Sequence, residues 1–317
     1  MLSSVEVCAG AGGQALGLEW AGFQHLVCVD NDLPSVETLL HNRPHWNAEA
    51  ADLREWSYWT AETVDLLAGG VPCPPFSSAG RQLGNRDERD LFPEIVRLAG
   101  ELRPRAIMIE NVRGLLDRKF GEYRQKLSRE FENLGYFGQW TLVDASKFGV
   151  PQRRLRSVFI AFSGDGFERF SFPESEPDAE TSVGDALLPL MEAGGWEGAR
   201  EWALRARGPA PTLVGGSKKH GGADLGPTRA RREWMDKHFV DGTGLADSPP
   251  GPGFEGPPRL TVEMAARIQG FPDEWAFSGK KTAAYRQVGN AFPPPVAQAL
   301  GQAIAAVLSP QLGDPPA

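Results

Sequence analysis

Cysteine and histidine are scarce in this chain, 3 and 5 of 317 residues. Cys8, Cys28 and Cys73 form no CxxC pair, and no histidine stands in an HExxH or comparable ligand spacing. An odd, unspaced set of thiols argues against a disulfide framework and against a zinc site, so no metal is expected. No continuous run reaches the roughly 18 apolar residues of a membrane span. The opening MLSSVEVCAGAGG has no basic region followed by a long apolar stretch. The expectation is a cytoplasmic, monomeric protein without a membrane partner. Positive charge is also short: the formal net charge is −8, which speaks against a protein that coats nucleic acid through bulk charge alone.

Where the charges lie matters more than their sum. Between Arg200 and Lys237 nine Lys or Arg stand against four acids, an excess of five positive charges. A second cluster, QRRLR at 152–156, holds three arginines and no acid. Composition thus permits a polyanionic partner without requiring one.

The first 165 residues alternate short apolar runs with helix-like segments. SSVEVCAG reads as a strand entering a glycine turn, HLVCVD as a second strand ending at Asp30, and TVDLLAGG as a third. A helix near 91–102, the strand RAIMIEN, a helix near 119–134 and the strands WTLVDA and RSVFIAF follow. This alternation predicts an α/β fold with a parallel sheet covered on both faces. Ligands of such sheets sit beyond the carboxyl ends of the strands. Every chemically suggestive residue falls there: Gly10 to Gly13 after the first strand, Asp30 after the second, Cys73 after the third and Glu110 closing the fourth. From about 166 to 258 the texture changes to a Pro- and Gly-rich stretch with Trp196, Trp202 and Trp234, which reads as a separate loop-rich module.

A glycine turn between strand and helix brings backbone amides to a ligand, and a carboxylate about 20 residues on suits ribose hydroxyls. CAGAGG does not match GxGxxG, so a nicotinamide dinucleotide is disfavoured and an adenosine-containing cofactor is expected. Cys73 sits in GGVPCPPFSSAG, where prolines stiffen the backbone around one thiol. A thiolate is intrinsically very nucleophilic, whereas Cys8 and Cys28 lie in apolar strands and read as inert. Glu110 ends an apolar strand, where a carboxylate is costly unless paired or used. A thiol, a carboxyl that can hold a proton and an adenosine cofactor together suit attack on an electron-poor ring.

In this order CAGAGG, GGVPCPPFS, ENVRGLL, VPQRRLR, RLTVEMAARIQGFP and QVGNAFPPPV resemble the cytosine carbon-5 DNA methyltransferase family over nearly the whole chain. The resemblance implies a Rossmann-like S-adenosylmethionine-dependent sheet, residues 1–175 completed by 280–317, with a smaller loop-rich target-recognition domain and hinge at 176–279. It implies S-adenosylmethionine held by Cys8, Ala9, Gly10, Gly12, Gly13, Asp30, Asp52, Pro72, Asn290 and Ala291. Cys73 would attack carbon 6 of a cytosine flipped from double-stranded DNA, and Glu110 would hold the ring through nitrogen 3. Arg154 and Arg156 would hold the base carbonyl and a nearby phosphate, with Gln152 structural. Ser77, Arg81, Gln82 and Arg89 of the polar loop 77–90 are expected at the DNA, as are Lys218, Lys219, Arg229, Arg231 and Arg232. A cognate restriction endonuclease is an expected companion. Three positions depart from the family pattern: Cys8 for the usual Phe, Pro74 for Gln, and Val262 for an Arg. A tRNA cytosine methyltransferase and a non-catalytic DNA-binding regulator of the same fold are the alternatives.

Overall fold

The computed structural model describes residues 1–72, 90–174, 180–215 and 222–309. Cys73, Ser77, Arg81, Gln82, Arg89, Lys218 and Lys219 lie outside the described residues. The apolar runs form β1 (Leu2–Val7), β2 (Phe23–Asp30), β4 (Leu66–Gly70), β5 (Ala106–Val112), β6 (Tyr136–Asp144) and β7 (Leu155–Ser163). A short β3 (Ala48–Ala50) joins the edge. Three residues of Ala-Glu-Ala carry too little pattern to be seen in sequence. Spatial order is β3-β2-β1-β4-β5-β7-β6.

The sheet is mixed rather than parallel. The strands from β3 to β5 run parallel, but β7 pairs antiparallel with both β5 and β6. No crossover helix separates β6 from β7: residues 145–154 hold one 3₁₀ turn, Ala145–Phe148. A connection without a crossover can only return the chain antiparallel.

Helices α1 (Gly13–Trp20), α2 (Leu33–Asn42), α3 (Phe92–Leu102) and α4 (Gly121–Asn133) cover the sheet. The last helix, α10 (Pro294–Leu308), lies backbone-close on α1. A Cβ on Gly17 would stand 2.2 Å from the Pro294 carbonyl oxygen, so only glycine permits this approach. The run Lys281–Leu308 is apolar and long enough to pass as a membrane span by composition, which the reading from sequence missed. In the fold 61% of its most apolar window is buried, and it is two helices, α9 (Lys281–Asn290) and α10, parted at Ala291–Pro293.

The stretch 180–279 contributes α5 (Val183–Glu192), α6 (Ala199–Arg205), α7 (Thr228–His238) and α8 (Val262–Ile268). It is less separate than its composition suggests. Trp202, Trp234 and Leu213 belong to one buried cluster with Leu16, Leu39 and Cys28 of the catalytic side. Trp275 reaches across, 6.2 Å from Trp46 and 6.0 Å from Phe271 between ring centroids. Large aromatic surfaces gain most from burial, and Trp202, Trp234 and Trp275 find it here within one shared cluster.

Candidate active site

Beyond Val7 the backbone turns left-handed at Cys8 (φ 52°), Gly10 (φ 54°) and Gly12 (φ 85°). Glycine adopts this region freely, while at Cys8 it costs roughly 1 kcal/mol. The turn closes with the Gly12 amide donating to the Ala9 carbonyl at 3.0 Å, and Trp275 Nε1 donates to the Ala11 carbonyl at 3.1 Å. The Gly10 amide donates to Asp30 Oδ2 at 2.8 Å, while Asp30 Oδ1 accepts from the Asp32 amide at 2.7 Å. Among the described residues nothing lies within 4 Å of where a Gly10 Cβ would be, so this backbone is left open beside a carboxylate.

Asp52 arrives by strand pairing: the Ala51 amide donates to the Asp30 carbonyl at 3.0 Å. Its carboxylate is held below its ordinary range by the amide and guanidinium of Arg54. Burial first, then Asp30, Asp52 and Glu6, push the Cys8 thiol far up. Cys8 thus sits in an acidic corner that disfavours its thiolate, and it stands just past β1 rather than within it. Asn290 closes α9, and Ala291 follows. A Cβ on Gly13 would stand 2.2 Å from the Phe292 carbonyl and 3.2 Å from Ala291 Cβ, so the 290–292 turn abuts the glycine turn. Pro72, exposed, leads out of β4 toward Cys73.

On the other side of β4, Glu110 pairs with Gly70 in the parallel ladder and with Val158 in the antiparallel one. A Cβ at Gly70 would lie 3.5 Å from Glu110 Oε2 and 3.6 Å from the Cys8 carbonyl, which brings both halves of the site together at one glycine. Arg156, two residues from Val158 and so on the same face of β7, sets its Nε 2.8 Å from Glu110 Oε1. Both side chains are nearly buried, 13% and 11% exposed. Burial raises the Glu110 pKa, and Arg156 and then Arg154 oppose it without cancelling it. The result is a carboxyl that can carry a proton above the ordinary glutamate range. Asn111 Nδ2 donates to the Val71 carbonyl at 3.2 Å, fixing the chain two residues before Cys73.

Arg154 does not do what was expected of it. It is fully buried. Its guanidinium donates to the carbonyls of Leu213 (2.8 Å), Gly289 (2.8 Å) and Ala291 (2.9 Å) and, at 3.4 Å, to Gln152 Oε1. A group so enclosed reaches neither a base nor a phosphate. Gln152 is structural as expected, bonded to Gln269 at 2.6 Å and accepting from the Leu213 amide at 2.8 Å. Asn111 and Gln269, which brace the backbone around these residues, were not singled out from the sequence. Their signal was present, since each is a polar side chain inside a quoted block, ENVRGLL and RLTVEMAARIQGFP.

The basic stretch is partly spent on itself. Arg200 pairs with Glu192 and Lys237 with Glu233, while Arg205 lies 4.2 Å over the Phe239 ring. Arg229 and Arg232 are exposed on α7, Arg231 is half-buried, and none of the three has an acidic partner among the described residues. Among the described residues no group of three or more His, Cys, Asp or Glu could hold a metal ion.

These features have counterparts in known proteins. The family model for C-5 cytosine-specific DNA methylases matches residues 2–306. Type II methyltransferase M.NaeI of Lentzea aerocolonigenes is 53% identical over 314 residues, 97% of this chain and 76% of that protein. Type II methyltransferase M.NgoMIV of Neisseria gonorrhoeae is 50% identical over 305 residues, 95% of this chain and 96% of that protein. Among solved structures, a putative DNA modification methyltransferase encoded within an E. coli prophage superposes with a TM-score of 0.65 at 22% identity, covering 97% of this chain and 99% of its own. At that identity it supports the fold, a methyltransferase sheet of the Rossmann-like kind. With half of its residues shared with two such relatives and the family model running almost end to end, the chain belongs to the C-5 cytosine-specific DNA methylase family and is a DNA cytosine-5 methyltransferase.

Proposed function

We propose that the chain methylates one cytosine within a short duplex sequence, that Cys73 is its nucleophile, and that it serves a restriction–modification system beside an endonuclease of the same specificity. The two relatives quoted above carry Type II names, which supports the last part. The residues present fit S-adenosylmethionine: an open glycine turn at Gly10, with Asp30 and Asp52 converging on Cys8 beside the Asn290–Phe292 turn. Cys8, Ala9, Gly10, Gly12, Gly13, Asp30, Asp52, Pro72, Asn290 and Ala291 would hold it. When bound, the cofactor supplies a methyl group activated by a positive sulfur.

The target atom is hidden inside the base stack, so the cytosine must be flipped out. Cys73 sulfur bonds to carbon 6, and electron density moves from the carbon 5–carbon 6 double bond toward nitrogen 3. Glu110, holding its proton because it is buried, donates there and stabilises the ring. Arg156 keeps Glu110 in place, and its planar fork suits it to hold the base carbonyl oxygen as well. Carbon 5, now nucleophilic, takes the methyl group. Nitrogen 3 returns its proton to Glu110, a base removes the carbon 5 proton, the electron pair re-forms the double bond, and the carbon–sulfur bond breaks to release Cys73. Splitting one difficult step in this way is the gain of covalent catalysis. Residues 176–279 would read the site, with Arg229, Arg231, Arg232, Lys218 and Lys219 on phosphates or bases, and Ser77, Arg81, Gln82 and Arg89 would also contact the DNA.

The observation that carries this reading is the buried Glu110–Arg156 pair standing beside Gly70, three residues before Cys73. Its test is covalent trapping on duplex DNA containing 5-fluorocytosine, since fluorine cannot leave as a cation and the enzyme stays attached. The expected adduct maps to Cys73 by peptide mass spectrometry, and Cys73→Ser forms none while still binding cofactor. An adduct at another residue would overturn the assignment.

A further inference from the structure

We propose that Arg154 and Gln152 are positioning residues that fix the register of the segment 212–215 against the catalytic strand, so that site reading and chemistry share one backbone clamp. The inference rests on assigning site reading to residues 176–279. The segment lies alongside 151–154 as a strand would. The Ala210 amide donates to the Pro151 carbonyl and the Arg153 amide to the Ala210 carbonyl, both at 2.9 Å, and Thr212 Oγ1 donates to the Arg153 carbonyl at 2.7 Å. At Leu213 side chains take over from backbone. Its amide donates to Gln152 Oε1 at 2.8 Å, and its carbonyl accepts from Arg154 Nη1 at 2.8 Å.

The other arm of the same guanidinium holds the carbonyls of Gly289 and Ala291, on either side of Asn290. Gly215 then packs backbone to backbone on that helix end. A Cβ on Gly289 would stand 2.3 Å from the Gly215 nitrogen, and one on Gly215 would stand 2.3 Å from the Arg286 carbonyl and 2.7 Å from Asn290 Oδ1. From Gly215 the chain continues directly to Lys218 and Lys219. Two residues beyond Arg154, Arg156 grips Glu110. One buried side chain therefore measures three things against each other: the segment 212–215, the turn at Asn290, and the strand that carries Arg156. Enclosing a guanidinium is costly in desolvation, and plain packing would be met more cheaply by an apolar side chain. A rigid fork that spans three carbonyls offers registration, which an aliphatic chain cannot. Displacements near 1 Å in a reacting geometry cost about 100-fold in rate.

The test compares wild type with Arg154→Lys, Gly215→Ala and Thr212→Val, all checked for folding by thermal melting. Each is incubated with plasmid DNA, and bisulfite sequencing gives the ratio of methylation at the wild-type site to that at its single-base variants. We expect Arg154→Lys to lower that ratio by about 10-fold or more, the scale of one lost base contact, with kcat falling and the KM for DNA little changed. Gly215→Ala, which leaves Arg154 intact, is expected to lower the ratio by a smaller factor, and Thr212→Val by the least. Should Arg154→Lys fail to fold, the other two variants decide. Folded variants that lose rate equally at every site, with the ratio unchanged, would overturn the inference. Arg229→Ala/Arg232→Ala probes the module separately. Weaker DNA binding in that double variant beside an unchanged ratio in Gly215→Ala would overturn the clamp while leaving the module's role standing.

Discussion

The sheet and the stretch 180–279 are two solutions to the same problem of burying a chain. The sheet half spends apolar β-branched and small residues on strand ladders and on glycine contacts such as Gly17 against α10. The other half has no named strand among the described residues and leans on aromatic anchors, Trp196, Trp202 and Trp234, whose burial is long-range. It also leans on side chains bonding to backbone: Trp202 Nε1 donates to the His238 carbonyl at 3.0 Å, and Arg154 and Gln152 clamp Leu213. Ladders tolerate changes of side chain as long as the face is kept. Anchors and clamps do not, because each depends on one particular side chain reaching one remote partner.

The largest expected effect breaks this contrast directly. Trp202→Ala should cost about 3–5 kcal/mol, as large aromatic truncations in cores do. Chemical denaturation would measure it. If DNA binding fails before cofactor binding along the same titration, the two regions are separately cooperative; if both fail together, the shared cluster through Trp275 makes them one unit.

Next, Glu110→Gln should slow methyl transfer by roughly 10²-fold, the scale of lost acid–base assistance, in single-turnover measurement. Its pH dependence sharpens the point. The proton on Glu110 is retained above the ordinary glutamate range, so the wild-type rate should lose this contribution as pH rises through that raised value, whereas the variant should lack that limb. Gly17→Ala should destabilise by about 1–3 kcal/mol through overpacking against the Pro294 carbonyl, read as a lowered melting temperature without a change in site preference.

The smallest effects concern charge. Arg229→Ala should reduce the slope of log K against log salt by about 1 if that arginine neutralises a phosphate. Glu6 lies fully buried under the glycine turn, and burial pushes its pKa up to about 8. A group raised in the folded state stabilises fully below its unfolded pKa and loses that contribution as pH climbs through the folded value. Glu6→Gln should therefore gain on wild type between about pH 4.5 and pH 8, by at most about 1.4 kcal/mol per pH unit. Parallel stability curves for the two proteins would show that Glu6 titrates normally.

Much of this was legible beforehand. The strands near whose carboxyl ends Gly10, Asp30, Cys73 and Glu110 fall were readable because apolar runs of that length, broken by glycine and proline, have few other outcomes. The direction of β7 went unread although its signal was there: the ten residues 145–154 hold no helix-length pattern, and a connection that short returns the chain antiparallel. Arg154 and Arg156 are spaced alike in QRRLR and yet differ completely. One reaches the rim of the site, while the other is enclosed by Leu213 and Gly289, residues 59 and 135 positions away in sequence.

By itself the sequence determined which residue types gather at the strand ends, and so the chemistry available there, because local periodicity and turn residues act over a few positions. Only the tertiary structure decided which of those polar groups are spent inward. Whether a guanidinium meets carbonyls or solvent depends on segments that are remote along the chain and become neighbours only once the core has closed around them.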